Sequence, residues 1–154
     1  MNTRALFNQS NKQEMNAIIN QAQQLISDGK DLLVLADNRE ESVKETKEAG
    51  SKLGMGELAI SKLVSATLAD ITKKVVDHTG LKRLIIAGAD TSGTICRELG
   101  IKGNYVLKEI ETGLPSGLAI GKELLIVLKS GSFGGEEFLS KAIRHLKEIS
   151  NEEK

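Results

Sequence analysis

The sequence predicts an α/β fold, with a mostly parallel or mixed sheet flanked by helices in three layers. Short apolar runs at residues 32–36, 83–87 and 123–129 have the length and density of strands covered on both faces. Longer stretches around them carry apolar residues at helical spacing. Two of the runs lead straight into glycine-rich turns, the usual junction between a strand and a following helix.

The elements follow in order. Ser10 and Gln13 form a capping-box pattern that opens a first helix. Met15, Ile18, Ile19, Ala22, Leu25 and Ile26 give that helix one apolar face, and Gly29 is its expected stop. Residues 32–36 (Leu-Leu-Val-Leu-Ala) read as a buried strand. Residues 38–52 are highly charged with sparse apolar positions and read as a solvated loop with at most a helical turn. Gly50, Gly54 and Gly56 punctuate the chain before a long helix over residues 57–79, with Leu58, Leu63, Val64, Leu68, Ile71 and Val75 on its buried side. Gly80 stands where that helix should end.

A second strand is expected at residues 83–87, then the turn Gly88-Ala89-Asp90-Thr91-Ser92-Gly93 and a short helix carrying Ile95, Cys96 and Leu99. Residues 104–110 alternate loosely and predict a strand near the sheet edge. Pro115, the single proline, falls in an expected loop over residues 111–117. A further strand at residues 123–129 enters Ser130-Gly131-Ser132-Phe133-Gly134-Gly135. The last helix presents Phe138, Leu139, Ala142, Ile143, Leu146 and Ile149 inward.

Composition narrows the function. A chain of 154 residues, 40% hydrophobic and 27% charged, has the make-up of one globular domain or one piece of a longer chain. Its 21 basic residues balance 21 acidic ones, so no net field draws it to nucleic acid or an anionic membrane. Three phenylalanines, one tyrosine and no tryptophan are too few for a base-stacking platform. No apolar run approaches a bilayer span, and the first residues lack the apolar core of a signal peptide, so a cytoplasmic location is expected. The lone cysteine, Cys96, excludes an internal disulfide and reads as a small core residue. His78 and His145 lack metal-ligand spacing, and His145 reads as solvated.

The chemistry is expected at the two glycine turns. Amides at a helix N-terminus lack intrahelical acceptors, and the helix dipole adds about half a positive charge there. Glycines let a phosphate approach the backbone closely. Two such turns from strands of one sheet would share its carboxyl edge, where open α/β sheets bind ligands. Each turn alone is also ordinary connection chemistry. Residues 88–93 have the glycine spacing of a P-loop, but Thr94 stands where its lysine belongs. Neither turn supplies the dinucleotide fingerprint.

Three blocks in order carry a resemblance. They are residues 84–93 (LIIAGADTSG) followed by Arg97-Glu98-Leu99-Gly100-Ile101, residues 109–115 (EIETGLP), and residues 128–136 (LKSGSFGGE). Together they resemble the four-carbon acid sugar kinase family, over roughly residues 32–146 and most sharply from Leu84 onward. Ala89 stands where the family has a second glycine, and Thr112 where it has a proline. The resemblance implies that residues 1–154 are a single nucleotide-binding domain, the C-terminal part of a longer two-domain kinase. The N-terminal sugar-binding domain has no counterpart here.

It also implies an ATP-dependent kinase of a small hydroxy acid, with ATP or ADP, Mg²⁺ and an acid sugar as ligands; a homodimer is the alternative to a monomer, which the sequence leaves open. The chain alone is then not expected to turn over. By resemblance Gly88, Ala89, Asp90, Thr91 and Gly131 contact ATP. Physical reasoning adds Ser92 and Gly93, whose amides would open the short helix, and the Ser130 hydroxyl. Asp90 is the candidate Mg²⁺ ligand, with helix capping as its alternative role. Thr91 and Ser92 share that alternative. Lys129 either offsets phosphate charge or points to water, and Phe133 either stacks on adenine or packs locally. The competing function is a non-catalytic α/β module that binds a nucleotide or a phosphorylated metabolite.

Overall fold

The computed structural model describes residues 1–8 and 10–152. It divides into two compact units, Met1–Gly80 and Leu81–Lys154.

The first unit is helical. A 3-10 turn, Thr3–Phe7, precedes α1 (Asn11–Ser27), α2 (Glu40–Lys52) and α3 (Glu57–Thr79). Helix α3 has the expected bounds and stops at Gly80, whose φ of 61° closes the helix in the left-handed region. Its buried face is Ile60, Ser65, Thr67, Ala69, Ile71, Val75 and Val76. Of the six residues expected there only Ile71 and Val75 are fully buried, and Leu58 is exposed.

Three expectations for this unit are corrected. The capping box does not form: Ser10 is in the αR region, and both its amide and its hydroxyl donate to the Asn8 side chain instead. The charged stretch is the full helix α2 rather than a loop with at most a helical turn. Glu40 and Glu41 favour its N-terminal dipole, and Asp37 accepts from the Arg39 amide and the Ser42 hydroxyl just ahead of it. Its inner face is made of small residues: Thr46 bonds the buried Thr3 at 2.6 Å, and Gly50 lies against Ile60. Residues 30–39 form neither helix nor strand, so the strand expected at residues 32–36 is absent. Among the described residues no strand pairs with that segment. It bonds instead to Met1, whose ammonium donates to the Leu35 carbonyl, and Leu33 and Leu35 stay 69% and 53% exposed.

The second unit is α/β. Strands β1 (Arg83–Ala87), β2 (Gly103–Glu111), β3 (Leu114–Ile120) and β4 (Leu125–Lys129) form a mixed open sheet in the order β1-β4-β3-β2. β1 and β4 are parallel, while β4–β3 and β3–β2 are antiparallel. Helix α4 (Ala89–Glu98) packs along β1 and β4, and α5 (Phe138–Glu152) packs against β1, β2 and β4. Alternation along the strands divides the core. Leu125 and Val127 join Leu114, Phe138, Ala142 and Leu146 beneath α5, with Ile85 against them, while buried Ile86 and Ile126 face the opposite way. The α/β class with a mixed sheet flanked by helices is therefore as expected.

β2 lies at an edge of the sheet, as its loose pattern suggested, and β1 at the other. The loop expected around Pro115 is instead strand β3, joined to β2 by a tight turn at Thr112-Gly113. Pro115 is tolerated because it sits opposite Glu109, between two register shifts, where a missing ladder N–H costs little. His145 is not solvated: its Nε2 lies 2.7 Å from Ser116 Oγ, whose side chain also donates to the Lys108 carbonyl. Among the described residues, no helix is long and apolar enough to cross a membrane.

Candidate functional site at the paired glycine turns

The parallel register brings the two turns together. Ala87 and Lys129, the last residues of β1 and β4, are direct partners, so both strands end at the same level of the sheet. The Gly88 amide then donates to the Lys129 carbonyl at 2.9 Å, continuing the ladder into the turns. Gly88, Ala89, Asp90 and Thr91 follow one strand, and Ser130 and Gly131 follow its neighbour, at one carboxyl edge. All of these except the half-buried Thr91 are exposed.

The first turn is short. Gly88 has φ 102° and is the N-cap of α4, which begins at Ala89, and as a glycine it brings no side chain to cap the helix. Asp90 is therefore inside the first helical turn, not at the cap, and its carboxylate sits at the positive end of the dipole. Its carbonyl accepts from Thr94 Oγ1, and Arg97 donates to the same hydroxyl. Helix α4 starts earlier than the sequence suggested, which changes two assignments. The Ser92 amide donates to the Gly88 carbonyl at 2.8 Å, and Gly93 lies beyond it in the helix body. Neither amide opens the helix; that position belongs to Ala89 and Asp90. The Ser92 side chain is different: it is 7% exposed, and its hydroxyl has no hydrogen-bond partner among the described residues.

The second turn is longer, because residues 130–137 intervene between β4 and α5. Gly131 and Gly134 have φ of 60° and 92°, and Lys129 donates its ammonium to the Gly131 carbonyl at 3.2 Å. A Cβ on Gly134 would lie 3.0 Å from both Leu114 and Phe138, so glycine is needed there for space as well as conformation. The Phe133 ring packs beside Gly113, at the tip of the β2–β3 hairpin.

Two residues that sequence reasoning missed hold this turn. Glu111 Oε2 accepts from the Gly135 amide at 2.9 Å, and its Oε1 accepts from Lys141 Nζ at 2.8 Å. The Lys141 ammonium, then the Gly135 amide, hold the Glu111 carboxyl below its ordinary range, and the carboxylate raises Lys141 in return. Cys96 is half-buried with its thiol pushed up by burial, in keeping with a packing role.

The arrangement suits an anion. It combines an uncapped helix N-terminus, an unsatisfied buried hydroxyl one turn inside it, and a neighbouring glycine turn with a lysine upon it. Among the described residues no three His, Cys, Asp or Glu side chains cluster in a way that would hold a metal by themselves. A cation at this edge would depend on a carboxylate such as Asp90 together with ligand oxygens.

Comparison with known proteins identifies the setting. Residues 1–139 match the family described as nucleotide-binding C-terminal domain. The chain belongs to that family. A 3-oxo-tetronate kinase of Burkholderia multivorans is 34% identical over 116 residues, 75% of this chain and 26% of that protein. Another, from Pseudomonas savastanoi pv. phaseolicola, is 29% identical over 119 residues, 77% of this chain and 26% of its own length. The chain thus spans about a quarter of these curated relatives. The crystal structure of a Haemophilus influenzae protein shares the fold, with a TM-score of 0.68 at 23% identity over 93% of this chain and 33% of that one. In this nucleotide-binding C-terminal domain, both glycine turns lie inside the matched residues.

Proposed function

We propose that this chain is the nucleotide-binding part of an ATP-dependent kinase acting on a small hydroxy acid of the 3-oxo-tetronate class. The observation that carries the reading is the Gly88–Lys129 bond, which sets an uncapped helix N-terminus beside a second glycine turn on adjacent parallel strands. The family match and the kinase names of the relatives supply the rest. In this reading residues 1–154 form the C-terminal part of a longer two-domain enzyme, and a sugar-binding part completes the cleft.

Phosphoryl transfer needs positioning and charge neutralisation more than covalent help from the protein. Bound ATP would supply the phosphoryl group. The Ala89 and Asp90 amides would bind phosphate oxygens at the positive end of α4, with Gly88 permitting the approach. Thr91 and the Ser92 hydroxyl would contribute from the first two turns of the helix. Ser130, Gly131 and the Lys129 ammonium would face the same phosphates from the second turn. Asp90 would hold Mg²⁺, which favours one or two carboxylates together with phosphate oxygens.

A thermal-shift titration with Mg-ATP, Mg-ADP and NAD⁺ in parallel tests this. Ligand at about 100 times its Kd adds roughly 2.7 kcal/mol of stability, which raises Tm by several degrees. The expected result is a rise with ATP or ADP and none with NAD⁺. No rise with any nucleotide, under conditions where the chain is folded, would overturn the reading.

A further inference from the structure

Glu111 has no place in the phosphate chemistry just described, yet it bridges to the second glycine turn. It ends β2 and lies 24 residues from Gly135 and 30 from Lys141, so only the fold brings the three together. Both carboxylate oxygens are engaged, one by the Gly135 amide and one by the Lys141 ammonium, and the side chain is 20% exposed. The turn it reaches is otherwise open, since residues 130–137 are all exposed. A second contact joins the same two segments, the Phe133 ring against Gly113. The hairpin tip therefore grips the glycine turn at two points, one polar and one apolar.

A carboxylate beside an anion site would repel the ligand if its charge were unanswered. Here Lys141 answers it, so the charge orients a backbone amide without opposing the phosphate. We propose that Glu111 is the positioning residue of the second glycine turn, holding Gly131–Gly135 in the conformation that receives the nucleotide phosphates, with Lys141 fixing the carboxylate. This rests on the nucleotide reading above and adds to it how the turn is held.

The test uses the full chain and three measurements on each variant: Mg-ADP affinity by calorimetry, Gly135 amide exchange by NMR, and the urea midpoint. E111A should weaken Mg-ADP about tenfold, as expected for losing a charge-assisted bond that orders the turn. It should speed Gly135 exchange at least as much, while the urea midpoint falls by less than the affinity loss corresponds to. E111Q keeps one carbonyl oxygen, for which the Gly135 amide and Lys141 compete, and should recover part of the affinity; E111D is one methylene too short and should not. K82A, which removes the distant Lys82–Glu123 ion pair, should leave affinity and exchange unchanged. Unchanged affinity in E111A overturns the proposal, as does an affinity loss that only parallels a fall in the urea midpoint. A wild-type chain that binds no Mg-ADP sinks the nucleotide reading itself, whereas binding indifferent to E111A sinks only the role of Glu111.

Discussion

Gly88, one step past the end of β1, and Lys129, the last residue of the parallel strand β4, are joined by a 2.9 Å backbone bond, which makes two separate glycine turns into one edge. The bond depends on Gly88 at φ 102°, where a side chain is strained although the space is open: a Cβ would meet Thr91 only at 3.5 Å. The strain is torsional, not steric. Gly88→Ala should therefore cost about 1–3 kcal/mol in urea unfolding and abolish any nucleotide-induced rise in Tm. Gly131 differs, because its φ of 60° is the left-handed region that asparagine also visits. Gly131→Asn should be milder than Gly131→Ala in the same measurement. Equal costs for the two would mean that the turn does not retain this conformation.

Ser116 ties β3 to α5. Its side chain is fully buried, with the Lys108 carbonyl at 3.0 Å and His145 Nε2 at 2.7 Å. Ser116→Ala leaves both partners without it, at a cost of roughly 1–3 kcal/mol. His145→Ala should cost less, since the serine keeps its carbonyl acceptor. Equilibrium unfolding of the two single variants decides the order; a larger cost for His145→Ala would place the main bond elsewhere.

How far the sequence foretold this structure depends on which physical force made each element. β1, β4 and α3 were legible because burial needs apolar residues at strand or helix spacing, and the glycines after them mark their ends. Helix α2 was not, because its inner face is Thr46 and Gly50, small residues that pack closely without any apolar period. Residues 32–36 show the reverse: five apolar residues advertise burial but do not name a partner strand, and none among the described residues is paired with them. β3 was hidden by Pro115, whose lost N–H is excused by a register shift that composition does not reveal. At the site, the two turns were foreseen from glycine content. The early start of α4, which takes the Ser92 amide out of consideration, and the grip of Glu111 on Gly135 depend on backbone geometry and long-range contact.

The ion pair of Glu111 predicts a pH dependence with a definite sign. Its folded-state pKa lies below the ordinary 4.5, through Lys141 and the Gly135 amide. A carboxyl with a depressed folded value contributes stability above its unfolded pKa, and loses it as pH falls through the folded one. Glu111 should thus leave stability flat from neutral pH down to about 5 and lower it in more acidic solution. E111Q removes this part of the acid dependence, so the wild type and the variant should converge as pH drops. Curves that stay parallel down to acid unfolding would show that the pair adds nothing to the fold.

The close approach of Gly50 to Ile60 gives a test of α2, the element that the sequence concealed. A Cβ on Gly50 would lie 2.5 Å from both Cδ1 and Cγ1 of Ile60, a side chain that is itself buried. Gly50→Ala improves helix propensity by about 0.5–1 kcal/mol but overpacks this contact, which costs roughly 1–3 kcal/mol. The net change should be destabilising by about 1 kcal/mol. Ile60→Ala alone leaves a void and should cost about 2–5 kcal/mol. In the double variant the new methyl group occupies part of that void, so the two costs should fall short of additivity by about 0.5–3 kcal/mol. Urea unfolding of the four proteins closes the cycle. Strict additivity would separate Gly50 from Ile60 and refute the packing of α2 against α3; a shortfall would establish that a helix with almost no apolar side chains is held by how closely it can approach its neighbour.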